Sequence, residues 1–188
     1  MASEPRQRLT IPEYLAFERQ SETKHDYLDG EIFAMTGASR EHNRITLNIA
    51  LSFETQLEER DCEVFANEMR VRTPTNLLTY PDVIVVCGPE SYDDSEVDTL
   101  LNPSVVVEVL SKSTESYDRN TKFFHYRSIP SLSDVLLVAQ NKVHVEHFHR
   151  RSREEWTLLE IDDLTQRLDL PAINCKLDLK RVYRRVFA

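Results

Sequence analysis

Val105-Val106-Val107-Glu108-Val109-Leu110 is the stretch on which the reading of this chain turns. Four of its six residues are valine. β-Branched side chains are stiff at χ1 and pack well on a pleated surface, so the run predicts a strand. Apolar residues on both alternating faces predict a strand covered on both sides. Glu108 interrupts them, on the same face as Val106 and Leu110. An ionised carboxylate in such surroundings is costly unless it is paired, hydrogen-bonded or metal-bound.

A second strand of the same kind, Asp82-Val83-Ile84-Val85-Val86, opens with an acid directly after Pro81. If the two strands are neighbours joined by the polar excursion 90–102, Asp82 and Glu108 meet at one end of the sheet. Paired carboxylates on rigid strands suit Mg²⁺ or Mn²⁺, hard ions that prefer oxygen and keep open water positions. Such an ion lowers the pKa of a water nucleophile and stabilises charge on a phosphoryl oxygen. Each acid also has a plain structural reading. Asp after Pro at a strand start is turn chemistry, and Glu108 can pair with a buried Arg or Lys.

The rest of the sheet and its helices follow from pattern. Towards the N-terminus, Thr10-Ile11-Pro12-Glu13 has the capping hydroxyl, early proline and Glu of a helix start, with the helix running to about Arg19. Asp29-Gly30, inside Lys24 to Met35, predicts a two-residue hairpin turn, because glycine accepts positive φ. Ile45, Ile49, Phe53 and Leu57 recur every four residues and predict an amphipathic helix over 39–59, with Leu47, Ala50 and Leu51 widening its apolar stripe. Cys62 to Ala66 and Met69 to Thr73 read as strands, then Pro81 to Cys87 and Pro103 to Leu110. Thr114 to Ser128 reads as a helix. Asp134 to Ala139 and Lys142 to Phe148 read as a hairpin through Gln140-Asn141, and Trp156 to Ile161 as a further strand. The tail reads as a short strand or turn closed by a basic helix. The order predicts an α/β or α+β fold, a sheet between helices with an N-terminal β-hairpin.

The helix after Glu108 carries Asp118, Lys122 and Tyr126 at steps of four, hence on one face. One reading is an Asp–Lys surface pair; the other sends Lys122 into the carboxylate site, where an ammonium orients water and offsets charge. His42 and Asn43 begin the long helix, where they serve as caps or core; His42 facing the cleft could instead bind phosphate or relay a proton. Glu31 is a turn acid or a further site carboxylate. His147 and His149 share a strand face, opposite His144. Two histidines without a third ligand are weak evidence for zinc, so all three are expected to face solvent. The basic runs 150–153 and 180–185 are solvated faces or phosphate contacts.

Bulk properties bound these readings. The chain has 188 residues, 40% hydrophobic and 29% charged, which predicts one soluble domain over 1–188, with its core at about 10–150 and an extension over 151–188. The net charge of −9 argues against a protein that coats nucleic acid, since phosphate neutralisation needs clustered Lys and Arg. No apolar run approaches a membrane span, and Met1 to Gln7 lacks the apolar core of a secretory signal. Three scattered cysteines read as reduced thiols in a cytoplasmic protein.

At this point the residues carry a resemblance. Pro81-Asp82 followed by Glu108 resembles the acidic pair of the restriction-endonuclease-like superfamily, whose motif is Pro-Asp and then Asp/Glu-X-Lys. The chain as a whole resembles one branch of it, the Uma-type, once catalogued as a domain of unknown function. The similar stretches are 24–35, Glu41-His42-Asn43, Tyr80-Pro81-Asp82-Val83, 102–114, Asp118-Arg119 with Lys122, and Tyr126-Arg127, so the likeness covers most of 10–150. It implies a mixed central sheet flanked by helices, divalent-metal hydrolysis of DNA phosphodiesters and often a homodimer. Asp82 and Glu108 would then be metal ligands. Two residues after Glu108 stands Leu110, where the superfamily has lysine; in this branch the matching lysine comes from the next helix, at Lys122. Asp26 stands where the branch usually has Glu. The resulting expectation is a Mg²⁺- or Mn²⁺-dependent DNA endonuclease using Asp82, Glu108, Lys122 and His42, with Asp26, Glu31, Asp118 and Tyr126 as further site residues. The alternatives are a non-catalytic binding module of the same fold and a small-molecule phosphohydrolase.

Overall fold

Thr10 caps the first helix as its sequence predicts: its hydroxyl accepts from the Glu13 amide while the Glu13 carboxylate returns to the Thr10 backbone N–H. The structure, a computed structural model, describes residues 8–187. The reading of Met1 to Gln7 lies outside the described residues. Helix α1 (Ile11–Glu18) leads into the hairpin of β1 (His25–Leu28) and β2 (Glu31–Ala34). Asp29 and Gly30 both take positive φ (48° and 93°), the requirement of a two-residue hairpin turn whose twist matches its strands. Helix α2 (Arg40–Leu57) follows, capped by the Ser39 hydroxyl.

The next stretch holds β3 (Cys62–Ala66), β4 (Arg70–Arg72), β5 (Leu77–Thr79), β6 (Val83–Cys87), β7 (Thr99–Leu100) and β8 (Val105–Leu110). A helical segment comes next: α3 (Glu115–Tyr117), a π-helical turn over Asp118–Lys122, and α4 (Phe123–Tyr126). The chain closes with β9 (Asp134–Ala139), β10 (Val145–Arg150), β11 (Trp156–Ile161), β12 (Arg167–Leu170), β13 (Cys175–Asp178) and α5 (Leu179–Val182).

The central sheet has six strands in the order β11-β10-β9-β8-β6-β3, mixed because β8 and β9 run parallel while the other pairs are antiparallel. A second sheet, β2-β1-β5-β4-β7, brings the N-terminal hairpin beside it. Alternation divides the core. Val83, Val85, Val105, Val107 and Val109 meet Ile45, Ile49, Phe53 and Leu57 of α2, together with Leu168, Leu177 and Val182 of the C-terminal strands and helix. Ile84, Val86, Val106 and Leu110 meet Tyr126, Ile129 and Leu132 on the opposite face. Each large side chain buried this way contributes about 1.5–3 kcal/mol relative to exposure. Val106 and Leu110 therefore carry Glu108 to the α4 face, away from α2.

Several expectations are corrected. Cys62 and Cys87 are not reduced thiols; they are bridged, and only Cys175, buried, is free. The cause is register: β3 and β6 pair antiparallel with Cys62 directly opposite Cys87, although 25 residues separate them in sequence. Leu47 and Leu51 do not widen the buried stripe of α2, because the sheet covers only the four-residue rows and leaves both exposed. The helix expected over 114–128 is interrupted by the π turn, and β5 falls between Thr73 and Pro81, where the sequence reading assigns no element. The hairpin of β9 and β10 closes through residues 140–144 rather than through two residues.

Candidate active site

Val83 of β6 pairs with Val107 of β8, so one step further along the antiparallel ladder Asp82 comes opposite Glu108. Asp82 Oδ2 accepts from the Val109 backbone N–H (2.6 Å) and lies 3.2 Å from His42 Nε2, which the first turn of α2 delivers. His42 Nδ1 is buried without a hydrogen-bond partner.

On the far side of Glu108 the helical segment supplies the rest. Lys122 Nζ stands 3.2 Å from Glu108 Oε1, 3.2 Å from Asp118 Oδ1 and 3.9 Å from Asp26 Oδ2. Tyr126 donates its hydroxyl to the same Glu108 oxygen at 2.5 Å. The π turn matters here. It widens one turn of the helix, a feature frequent at functional sites, and places Asp118 and Lys122, both buried, over the sheet. Asp26 arrives from β1 with its Oδ1 buried and unpartnered. Three carboxyl groups thus surround one ammonium.

Burial dominates the protonation of this cluster. It pushes the Glu108 carboxyl well above the usual carboxylate range, with Asp118 and Asp82 adding to the effect and Lys122 opposing it. Asp26 is raised for the same reason, against the pull of Lys122. For Lys122 burial works against the charge, but Glu108 and Asp26 outweigh it and hold the ammonium well above its ordinary range. Lys122 is therefore an ammonium at neutral pH.

Glu31 is exposed, and no hydrogen bond or ion pair ties it to this cluster among the described residues. Tyr117 was not anticipated: its hydroxyl is buried and unpartnered, and Lys122 Nζ sits 5.9 Å from its ring centroid. Tyr117 precedes Asp118 and lies off the four-residue row of Asp118, Lys122 and Tyr126, so spacing gave no signal for it. Arg150, read as a candidate phosphate contact, instead donates to the Leu132, Arg127 and Ile129 carbonyls and packs over Trp156. The histidines of β10 do not simply face solvent either, His149 being only partly exposed. His147 is buried, and both His147 and His149 contact Asp134, the third ligand type that the sequence left unseen. Among the described residues, the groups of three ligand atoms within 4.8 Å of one another are Asp134/His147/His149 and His144/Glu146/Glu160. Asp82 and Glu108 belong to neither. No helix among the described residues is long and apolar enough to cross a membrane.

Comparison with known proteins agrees with this architecture. A family model described as "Uma2: Putative restriction endonuclease" matches residues 11–180. Two proteins of Synechocystis sp., both described as uncharacterized, are each 36% identical. The protein slr1290 aligns over 183 residues, 97% of this chain and 95% of its own length; sll1609 aligns over 154 residues, 81% and 87%. A crystal structure from Anabaena variabilis ATCC 29413, described as "a putative nuclease belonging to DUF820", superposes with a TM-score of 0.78 at 16% identity. It covers 95% of this chain and 99% of that one, and so shares the fold.

Proposed function

The chain belongs to the Uma2 family, and we propose that it is a divalent-metal-dependent endonuclease that hydrolyses DNA phosphodiester bonds at the Asp82–Glu108–Lys122 cluster. The observation that carries this reading is the set of three buried carboxylates around the single ammonium of Lys122. The donors fit a hard divalent ion. They are carboxylate oxygens on or beside strands of the two sheets and on the π turn, and one of them, Asp26 Oδ1, is buried without a partner. Asp82 and Glu108 would hold Mg²⁺ or Mn²⁺, with Asp26 in reserve. When bound, the ion supplies Lewis-acid stabilisation of phosphoryl charge and a more acidic water.

The remaining work falls to the chain's own residues. Lys122, fixed by Asp118 and Glu108, presents a charged N–H to an attacking water or a phosphate oxygen. It donates and does not abstract, because its surroundings keep it protonated. Tyr126 fixes the Glu108 carboxyl group through its hydroxyl. His42, 3.2 Å from Asp82 and with Nδ1 free of other bonds, can orient Asp82 and take or give a proton at the cleft.

One observation favours a second reading. Lys122 already satisfies Glu108 and Asp118, so the same cluster would be stable as an ion network in a binding module that cuts nothing. Cleavage separates the two. Supercoiled plasmid and oligonucleotide DNA are incubated with Mg²⁺ or Mn²⁺ and the wild type, Asp82→Asn, Glu108→Gln or Lys122→Gln. Metal-dependent cutting that disappears in the folded variants supports the endonuclease. An inert wild type, or variants that cut at the wild-type rate, would overturn it.

A further inference from the structure

On the opposite face of the central sheet, three ligand atoms from two strands lie within 4.8 Å of one another. β9 and β10 pair antiparallel with Asp134 opposite His149 and Leu136 opposite His147, so all three side chains share one face. Leu136 and Val138 pack into the α2 core, which places this face away from Glu108. Asp134 aligns with Val105 at the start of β8, and Glu108 with Leu137. Three residues of strand, about 10 Å, therefore separate the two levels along the sheet.

Asp134 Oδ1 lies 2.6 Å from His147 Nε2 and 2.7 Å from His149 Nδ1. Both imidazoles address the same oxygen. The other one, Oδ2, is buried and has no partner, although the Asp134 side chain is wholly excluded from solvent. A carboxylate placed only to accept hydrogen bonds would use both oxygens, since an unmade bond on a buried carboxylate oxygen costs about 1–3 kcal/mol or more. Two imidazole nitrogens and one carboxylate oxygen within 4.8 Å of one another form the donor set that borderline divalent ions select. His149 keeps 21% of its side chain exposed, which leaves an approach from solvent and room for a water as fourth ligand.

We propose that Asp134, His147 and His149 form a second metal site, one for a divalent transition ion of the zinc class, separate from the all-carboxylate cluster at Glu108. Zinc bonds near 2.0–2.2 Å hold tetrahedral ligand atoms about 3.3 Å apart, so loading opens the present contacts by roughly half an ångström. This movement is within the reach of side-chain torsions on fixed strands. The site does not depend on the proposed nuclease reading, because none of its ligands touches Asp82, Glu108 or Lys122.

The test uses the full chain, stripped with chelator and titrated with Zn²⁺ alone by calorimetry and by metal analysis after dialysis. His147→Gln, His149→Gln, His144→Gln and Glu108→Gln are measured beside the wild type. The wild type is expected to take up one high-affinity zinc. His147→Gln and His149→Gln are each expected to weaken it by at least about 100-fold, the upper end of what losing even an outer-shell partner does. His144→Gln and Glu108→Gln should leave it in place. Zinc should also raise the melting temperature of the wild type and not that of His149→Gln, by mass action on the folded state. His149 is partly exposed, so its variant remains informative if His147→Gln does not fold. A wild type that binds no zinc, a folded His149→Gln that binds it as tightly, or a site lost in His144→Gln instead would each overturn the assignment.

Discussion

Replacing Lys122 with methionine tests the electrostatics of the cluster with little change of volume, so no cavity term confuses the result. The ammonium is buried and lies 3.2 Å from two carboxylates and 3.9 Å from a third. Removing one partner of a buried pair leaves the others uncompensated, at a cost of about 3–5 kcal/mol. For a chain of this size that corresponds to a fall in melting temperature of roughly 6–20 °C. Glu108 and Asp26 already bind protons more tightly than free carboxylates do. A raised acid contributes stability that is present at low pH and lost as pH rises through its folded pKa. Without Lys122 both acids rise further. The penalty of Lys122→Met is therefore expected to be smaller at pH 5 than at pH 8. Urea unfolding at the two pH values measures it, and Glu108→Gln in the same background closes a double-mutant cycle with a coupling of about 1–3 kcal/mol. A penalty under about 1 kcal/mol that does not vary with pH would refute the reasoning, because such a value belongs to an exposed ion pair.

Other expectations are more local. Thr10→Ala removes the hydroxyl that accepts from the Glu13 amide, leaves the reciprocal bond from the Thr10 backbone N–H, and should lower stability by about 1 kcal/mol in urea unfolding. Asp98 is bonded to Arg19 and faces Arg70, and hydrogen bonds from Arg19 hold its carboxyl well below the ordinary range. Its contribution is thus present above the unfolded pKa near 4 and lost on further acidification. Asp98→Asn should flatten that acid loss by under about 1 kcal/mol, since the pair is about one-third exposed. Reducing Cys62–Cys87, which closes a loop of 25 residues in sequence, should cost roughly 3 kcal/mol in urea unfolding with and without dithiothreitol, and nothing in Cys62→Ser/Cys87→Ser.

How much of this was legible depended on whether a local pattern carried the tertiary fact. The valine run around Glu108 assigned that side chain its face, because period-two alternation is a property of the strand itself. Asp29-Gly30 and Thr10 to Glu13 were equally readable, since turn and cap chemistry are local. The lysine displaced from position 110 to Lys122 rested on the family resemblance, and the structure sets it beside Glu108. The π turn that seats it has no Gly or Pro to announce it. β5 is three residues inside a turn-rich stretch, too short for any periodicity. The Cys62–Cys87 bridge and the Asp134–His147–His149 group depend on strand register, which pairs residues distant in sequence. For the latter a signal did exist. Asp134 opens an apolar strand, and two same-face histidines follow 13 and 15 residues later. Read alone, an acid after Ser133 is ordinary turn chemistry.

The central claim is that Asp82 and Glu108 hold a divalent ion beside Lys122, and Mn²⁺ binding followed by the electron paramagnetic resonance of the free ion tests it most directly. The wild type and His149→Gln should bind Mn²⁺ alike, while Asp82→Asn and Glu108→Gln, still folded, should each bind it at least about tenfold more weakly. Equal Mn²⁺ binding by wild type and Glu108→Gln, or none by the wild type, would contradict the claim.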